Sequence, residues 1–180
     1  MEKTINAFAL IHFGSNPKYF EYELYFCIML QRNTANNIIY LYSESDTPAS
    51  FVEAIKPFVY RTQGFDDRGI THDIADVDFK SKYTNFNTLR TCAFIYAYLL
   101  TEYDKVCIVE SDLVIMRILD GIFDLQSPAV LFYEPDSNPR IKNNAERSVS
   151  LESILAKCGS RASDVNGGVM LITPSEELFA

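Results

Sequence analysis

The chain has 180 residues, 48% of them hydrophobic and 22% charged, the make-up of a folded globular protein long enough to bury one core. With 24 acidic residues against 16 basic ones, the formal net charge is −8. That balance argues against nucleic acid as a partner, because phosphate backbones select basic surfaces.

Thr4 to Phe13 is rich in apolar and aromatic residues and stops at the turn formers Gly14-Ser15-Asn16-Pro17, which predicts a first strand. Its apolar run is too short to span a membrane and no small-residue cleavage site follows it. A soluble, cytoplasmic protein without signal peptide or transmembrane segment is expected. His12, inside this run, reads as a core histidine rather than a ligand.

From Lys18 to Gln31 the apolar residues Phe20, Leu24, Cys27 and Leu30 recur at helical spacing. Asn33 to Asn37 is a turn, Ile38 to Ser43 a strand, and Ala49 to Lys56 a short helix with Thr47 as its cap. A third strand is expected over Phe58 to Thr62. Gln63 to Tyr83, with Asp66, Asp67, Asp73, Asp76 and Asp78 and no clean period, reads as a long polar loop, either a solvated face or a lid.

Asn87 to Thr101 returns to a helix, apolar almost all round and therefore buried. Lys105 to Glu110 is a continuous apolar strand ending in an acid, and Leu113 to Ile118 is apolar again. Ala129 to Tyr133 is a strand, Glu134 to Val149 a polar loop, Leu151 to Lys157 a short helix, and Val169 to Thr173 a last strand. The spacing of Cys27, Cys92, Cys107 and Cys158 contains no C-x-x-C pair, so all four read as reduced. Thr173-Pro174-Ser175-Glu176 fits a capping box with Thr173 as cap, yet the sequence stops at Ala180. Residues 1–180 are therefore read as the N-terminal, donor-binding portion of a longer chain.

Strands alternating with helices, the strands nearly continuous in apolar residues, predict an α/β domain with a mostly parallel sheet and helices on both faces. Ligands of such sheets sit beyond the carboxyl ends of the strands. Ser15, Asn16, Glu110, Asp112 and Asn166 are the polar groups placed near such ends. In Val106-Cys107-Ile108-Val109-Glu110-Ser111-Asp112 a buried strand delivers two carboxylates two residues apart, so that in extended backbone both point the same way. Two anions held that close perturb each other unless a cation lies between them. Mn²⁺ or Mg²⁺, which take carboxylate, water and phosphate oxygens, suit the pair. The alternative is a strand ending in acids that cap the next turn.

The stretch from Leu100-Thr101-Glu102-Tyr103-Asp104-Lys105-Val106 through Glu110-Ser111-Asp112 to Ile118-Leu119-Asp120-Gly121-Ile122-Phe123 resembles the glycogenin-like family 8 glycosyltransferases. Two further blocks are similar to that family: Val165-Asn166-Gly167-Gly168-Val169-Met170 and Phe13-Gly14-Ser15-Asn16-Pro17-Lys18-Tyr19. The three fall in family order and span most of the chain. The resemblance implies a GT-A fold (a Rossmann-like nucleotide-diphospho-sugar transferase) and a hexosyltransferase of the EC 2.4 class. It also implies a divalent metal, a UDP-sugar donor used with retention, and a glycan or protein acceptor. Carried over, Asp112 and Glu110 would hold the metal. Phe13, Ser15, Asn16, Tyr19 and Arg90 would meet the nucleotide, and Ser111, Asn166 and Gly167 the donor sugar. Glu110 stands where the family has Asp, and Gly167-Gly168 where it has Ser-Gly.

Cleaving a sugar–diphosphate bond builds charge on the departing diphosphate, which a bridging metal would neutralise. Glu110 and Asp112 are accordingly metal holders, not an acid and a base. No residue stands out as the base an inverting reaction would need, and none is assigned as catalytic. Tyr19 fits a core-covering role as well as base stacking, and Arg90 fits a helix ion pair as well as donor contact. Two other readings share this pattern. One is a non-catalytic relative that binds a nucleotide sugar or a protein partner. The other is a nucleotidyltransferase, which Gly14-Ser15-Asn16-Pro17-Lys18 serves poorly as a phosphate loop.

Overall fold

The first three strands are β1 (Asn6–His12), β2 (Asn37–Ser43) and β3 (Arg61–Phe65). The other three are β4 (Lys105–Val109), β5 (Ala129–Phe132) and β6 (Val165–Ile172). They form one sheet in the order β3-β2-β1-β4-β6-β5. The structure is a computed structural model that describes residues 5–66, 91–132 and 165–179, with the side chains of 91, 92, 131, 132 and 165–167 excepted. Around the sheet lie α1 (Pro17–Asn33), α2 (Ala49–Ile55), α3 (Glu176–Phe179) and three 3₁₀ segments, Lys56–Phe58, Thr91–Leu99 and Asp120–Asp124.

The apolar strands are continuous because both faces of the sheet are covered. Phe8, Leu10, Ile38, Tyr40, Cys107 and Val109 pack on one side with Phe20, Phe26, Cys27 and Leu30 of α1, Ile55 of α2 and Phe123. Their strand neighbours Ala7, Ala9, Ile39, Leu41, Val106 and Ile108 face the other side, against Ala93, Ala97, Leu100 and Tyr103. Successive residues of one strand thus supply two cores, as the two-residue period of extended backbone requires. Cys27 and Cys107 are free and buried, and burial pushes each thiol up to about 12. They are inert core residues. The side chain of Cys92 and all of Cys158 lie outside the described residues.

The sheet is parallel from β3 through β4. β6 departs from this, running antiparallel to both β4 and β5. It also begins at Val165 rather than Val169, so Asn166, Gly167 and Gly168 belong to the strand. β3 is Arg61–Phe65 rather than Phe58–Thr62, because Pro57 belongs to a 3₁₀ turn that closes α2. Pairing starts with Tyr60 N donating to Ile38 O at 2.8 Å. Gln63 and Gly64, expected in a loop, thus pair with Leu41 and Tyr42. Phe65 ends β3, and the part of that expected loop from Asp67 on, Glu134 to Val149 and Leu151 to Lys157 lie outside the described residues.

The apolar helix expected over Asn87 to Thr101 is a 3₁₀ segment from Thr91 to Leu99. α2 begins after Pro48, and Thr47 makes no side-chain cap. α3 is capped by Ser175, whose Oγ accepts from Leu178 N at 3.4 Å. The cap therefore lies two residues later than Thr173. No helix among the described residues is long and apolar enough to cross a membrane.

Asp120 joins two parts of the fold that are distant in sequence. Its carboxylate accepts from Thr34 Oγ1 and, at 3.0 Å, from Ala35 N, while Leu119 N donates to Asn33 O at 3.3 Å. Burial alone would raise this carboxyl's pKa, but hydrogen bonds from Thr34, Ala35 and Asn36 outweigh it and hold the group below its ordinary value. A depressed carboxylate stabilises the fold above its unfolded pKa of about 4 and loses that contribution as pH falls through its own lower value. Asp120→Asn is expected to cost about 1 kcal/mol at pH 7, given the group's partial exposure. In urea melts across pH, the gap to wild type should close below about pH 4. A gap of the same size at pH 3 would mean that charge is not what matters.

Candidate functional site

The carboxyl edge of the sheet is organised by the chain reversal at β1. From β1 the chain winds outward through β2 and β3, then returns across β1 to β4 on its other side. This is the switch point of an open α/β sheet, where diverging connections leave a crevice. β1 delivers the segment 13–16 to this crevice, and β4 delivers Glu110-Ser111-Asp112. Because β6 is antiparallel, its beginning lies at the same edge. Val169 pairs with Val109, and Glu110 N donates to Gly168 O at 2.9 Å. The backbone of Asn166 and Gly167 precedes this contact, where β6 shifts register against β5. Glycines suit such an irregularity, having no side chain to displace. Three sequence blocks, 13–16, 110–112 and 166–168, thus meet at one end of one sheet.

Most of the predicted residues can be placed. Phe13 is half-buried at the end of β1, and Ser15 and Asn16 are exposed beyond it. Asn16 also caps α1, its Oδ1 accepting from Lys18 N at 3.0 Å, with Pro17 in the first turn. This local signal sets where the helix starts. Tyr19, in that first turn, is 65% exposed, which removes the core-covering role and leaves its ring open to a ligand. Ser111 is half-buried and Asp112 exposed. Arg90 and the side chain of Asn166 lie outside the described residues, while the Gly167 backbone belongs to β6.

Electrostatics mark the acid pair. Partial burial on its protein side, and then the like charge of Asp112, raise the carboxyl of Glu110 above its ordinary range. The two carboxylates therefore sense each other, and a cation between them would relieve the strain. Hard oxygen donors of this kind fit Mg²⁺ or Mn²⁺, which leave several positions to water and phosphate. No cluster of three or more His, Cys, Asp or Glu that could hold a metal ion is present among the described residues.

A carboxyl with a raised folded pKa favours the fold while protonated, and this contribution is lost as pH rises through that pKa. In metal-free protein at pH 7, Glu110→Gln is therefore expected to be more stable than wild type, by about 0.5 kcal/mol or less after solvent screening. The advantage should vanish below about pH 4. Denaturant melts with and without a chelator check this, and a Gln variant less stable at pH 7 would contradict the repulsion.

His12 is buried as expected of a core histidine, yet its ring reaches the crevice loop, with Nε2 2.9 Å from Gly14 O. Asp46, after β2, was not singled out from sequence. Its Oδ1 accepts from Gly14 N at 2.9 Å. The signal was available, since Ser43-Glu44-Ser45-Asp46 follows a strand and meets the same carboxyl-end rule as the other polar groups.

No family model matches the chain, and no curated protein matches it in sequence. Solved structures do. The galactosyltransferase LgtC, crystallised with donor and acceptor sugar analogues, aligns at TM-score 0.53 and 15% identity over 97% of this chain and 60% of its own. The bifunctional glycosyltransferase WbbM aligns at 0.54 and 12% over 99% of this chain and 33% of its own. GlyE of Streptococcus pneumoniae TIGR4 aligns at 0.50 and 16% over 95% of this chain and 34% of its own. These likenesses establish the fold, a mixed α/β GT-A glycosyltransferase fold, and this chain spans about a third to three fifths of the neighbours' lengths.

Proposed function

We propose that this chain is the donor-binding part of a metal-dependent glycosyltransferase similar to family 8. The reaction would transfer a hexose from a UDP-sugar to a glycan or protein acceptor, with retention. The observation that carries the reading is the meeting of 13–16, Glu110–Asp112 and the start of β6 at the β1/β4 switch point. Ser15, Asn16 and the exposed ring of Tyr19 would receive the nucleotide, and Ser111 and the Asn166-Gly167 backbone would border the sugar. Glu110 and Asp112 would hold Mn²⁺ or Mg²⁺, which supplies positive charge to the departing diphosphate. The likeness to glycosyltransferases that are longer than this chain supports the class of reaction.

The test is thermal stability with UDP, with Mn²⁺ and with both. Binding to the native state raises the melting temperature by mass action, about 2.7 kcal/mol at a hundredfold excess over Kd. For a domain of this size that is roughly 5–10 °C. The expected result is a shift with both ligands that neither gives alone. No shift under any metal would favour the second reading, a GT-A fold that serves as an interaction module.

A further inference from the structure

We propose that His12 and Asp46 are positioning residues that clamp the Gly14 peptide from both sides, holding segment 13–16 in the shape that meets the nucleotide. The proposal rests on the donor-site reading for what the segment binds, but the clamp itself is independent of it. Gly14 has φ +96°, a region that side-chain-bearing residues rarely enter. An added Cβ there would meet nothing within 4 Å, so backbone conformation alone calls for glycine. Parallel pairing of β1 with β2 stops at His12 and Tyr42, and Gly14 lies beyond it. Its carbonyl faces His12 Nε2 at 2.9 Å, and its N–H donates to Asp46 Oδ1 at 2.9 Å. A carbonyl only accepts, so Nε2 carries the proton of the first bond.

The ring of His12 is itself held. Nδ1 lies 2.7 Å from Glu23 Oε2, within ion-pair distance though out of line for a straight hydrogen bond. Tyr40 Oη donates to the same carboxylate oxygen at 2.7 Å. The imidazole stacks on Tyr40 at 5.8 Å and meets the edges of Phe20 and Phe51 at 6.3 and 5.9 Å. A buried polar group that served packing alone would need only to be satisfied. This one directs Nε2 to a backbone carbonyl of the crevice loop, with an aromatic cage and a carboxylate setting its direction. Asp46, from the turn after β2, secures the other side of the same residue.

The experiment measures UDP affinity in Mn²⁺, amide hydrogen exchange over residues 13–20, and thermal melting. The variants are His12→Leu, His12→Gln, Asp46→Ala and Asp46→Asn. His12→Leu removes the donor to Gly14 O and is expected to weaken UDP about tenfold, the scale of one lost hydrogen bond, with faster exchange in 13–16. His12→Gln retains an N–H donor near the position of Nε2, and should recover affinity to within about threefold. Asp46→Ala and Asp46→Asn should form a matching pair, because Asn keeps an acceptor oxygen. They decide the matter should His12→Leu fail to fold. If Leu and Gln weaken binding equally, in step with lost thermal stability, His12 is only structural and the proposal is overturned. Unchanged affinity and exchange in folded His12→Leu and Asp46→Ala overturn it as well. If wild type itself does not bind UDP, the donor reading fails, while loop exchange in the same variants still decides whether the clamp exists.

Discussion

Asp112→Ala should abolish the metal-dependent stabilisation by UDP while leaving the melting temperature of the unliganded protein almost unchanged. The two halves of this expectation have separate physical grounds. Asp112 is exposed beyond the end of β4, and its side chain makes no hydrogen bond or ion pair among the described residues, so its truncation falls among surface changes, within about ±0.5 kcal/mol. Removing Asp112, in contrast, deletes one of the two carboxylates proposed to hold the cation. Metal and nucleotide reinforce each other through the diphosphate, so both signals are expected to disappear together. The wild-type shift of roughly 5–10 °C should fall to within error of zero. Persistence of a full shift in Asp112→Ala would move the nucleotide away from the β1/β4 crevice. Loss of several degrees without ligand would instead make Asp112 a structural cap, the alternative its sequence position allowed.

The largest stability effect is expected at Phe8→Ala. Phe8 is fully buried on β1, on the face that receives α1, and its ring meets Phe123 edge-on at 5.0 Å. Phe123 belongs to the 3₁₀ segment Asp120–Asp124, whose carbonyl end is tied back to β4 by Lys105 Nζ, 2.7 Å from both Phe123 O and Leu125 O. Truncation removes apolar transfer energy and leaves a cavity that a six-stranded sheet cannot collapse to fill. The cost is about 3–5 kcal/mol, a fall in melting temperature of about 10 °C or more for this length. Phe8→Leu, which keeps more of the volume, should lose markedly less. A Phe8→Ala variant within 1 °C of wild type in circular-dichroism melts would show that β1 does not anchor this core.

The unliganded Phe8→Ala protein should also lose support for the segment after the acid pair, because Phe123 and Asp120 together dock it. Asp120 reaches the α1–β2 turn, 85 residues earlier in the chain, at Ala35. UDP added with metal should then recover part of the lost stability, since mass action favours whatever state binds.

Much of the fold was legible in the residues themselves, for reasons that are local. Unbroken apolar strands such as Val106 to Val109 state that both faces are covered, because period-two backbone presents alternate residues to opposite sides. Asn16 with Pro17 marks the start of α1 without reference to anything distant. The acid-x-acid pair after β4 and the polar segment after β1 were visible as carboxyl-end groups. The local signals failed where a neighbour overrode them. Gln63-Gly64 looks like a turn, yet these residues pair with β2, and ladder hydrogen bonds along an aligned strand outweigh weak propensity. Thr173 looks like a cap, but the last strand runs to Ile172 and the helix begins only after Ser175.

What the sequence by itself determined is therefore the class of architecture, the start of α1, and the chemical types at the crevice: two carboxylates, small polar groups and an aromatic ring. Only the tertiary structure decided which of these meet. The direction of β6 brings Gly168 to Glu110, and strand order puts β1 beside β4. His12 changes from a core residue into one that holds Gly14, because Glu23 and Tyr40 close over it from α1 and β2. The physical reason is common to all three. A side chain's period and polarity are written in its near neighbours, whereas its partners across tens of residues depend on strand pairing, which the whole sheet settles at once.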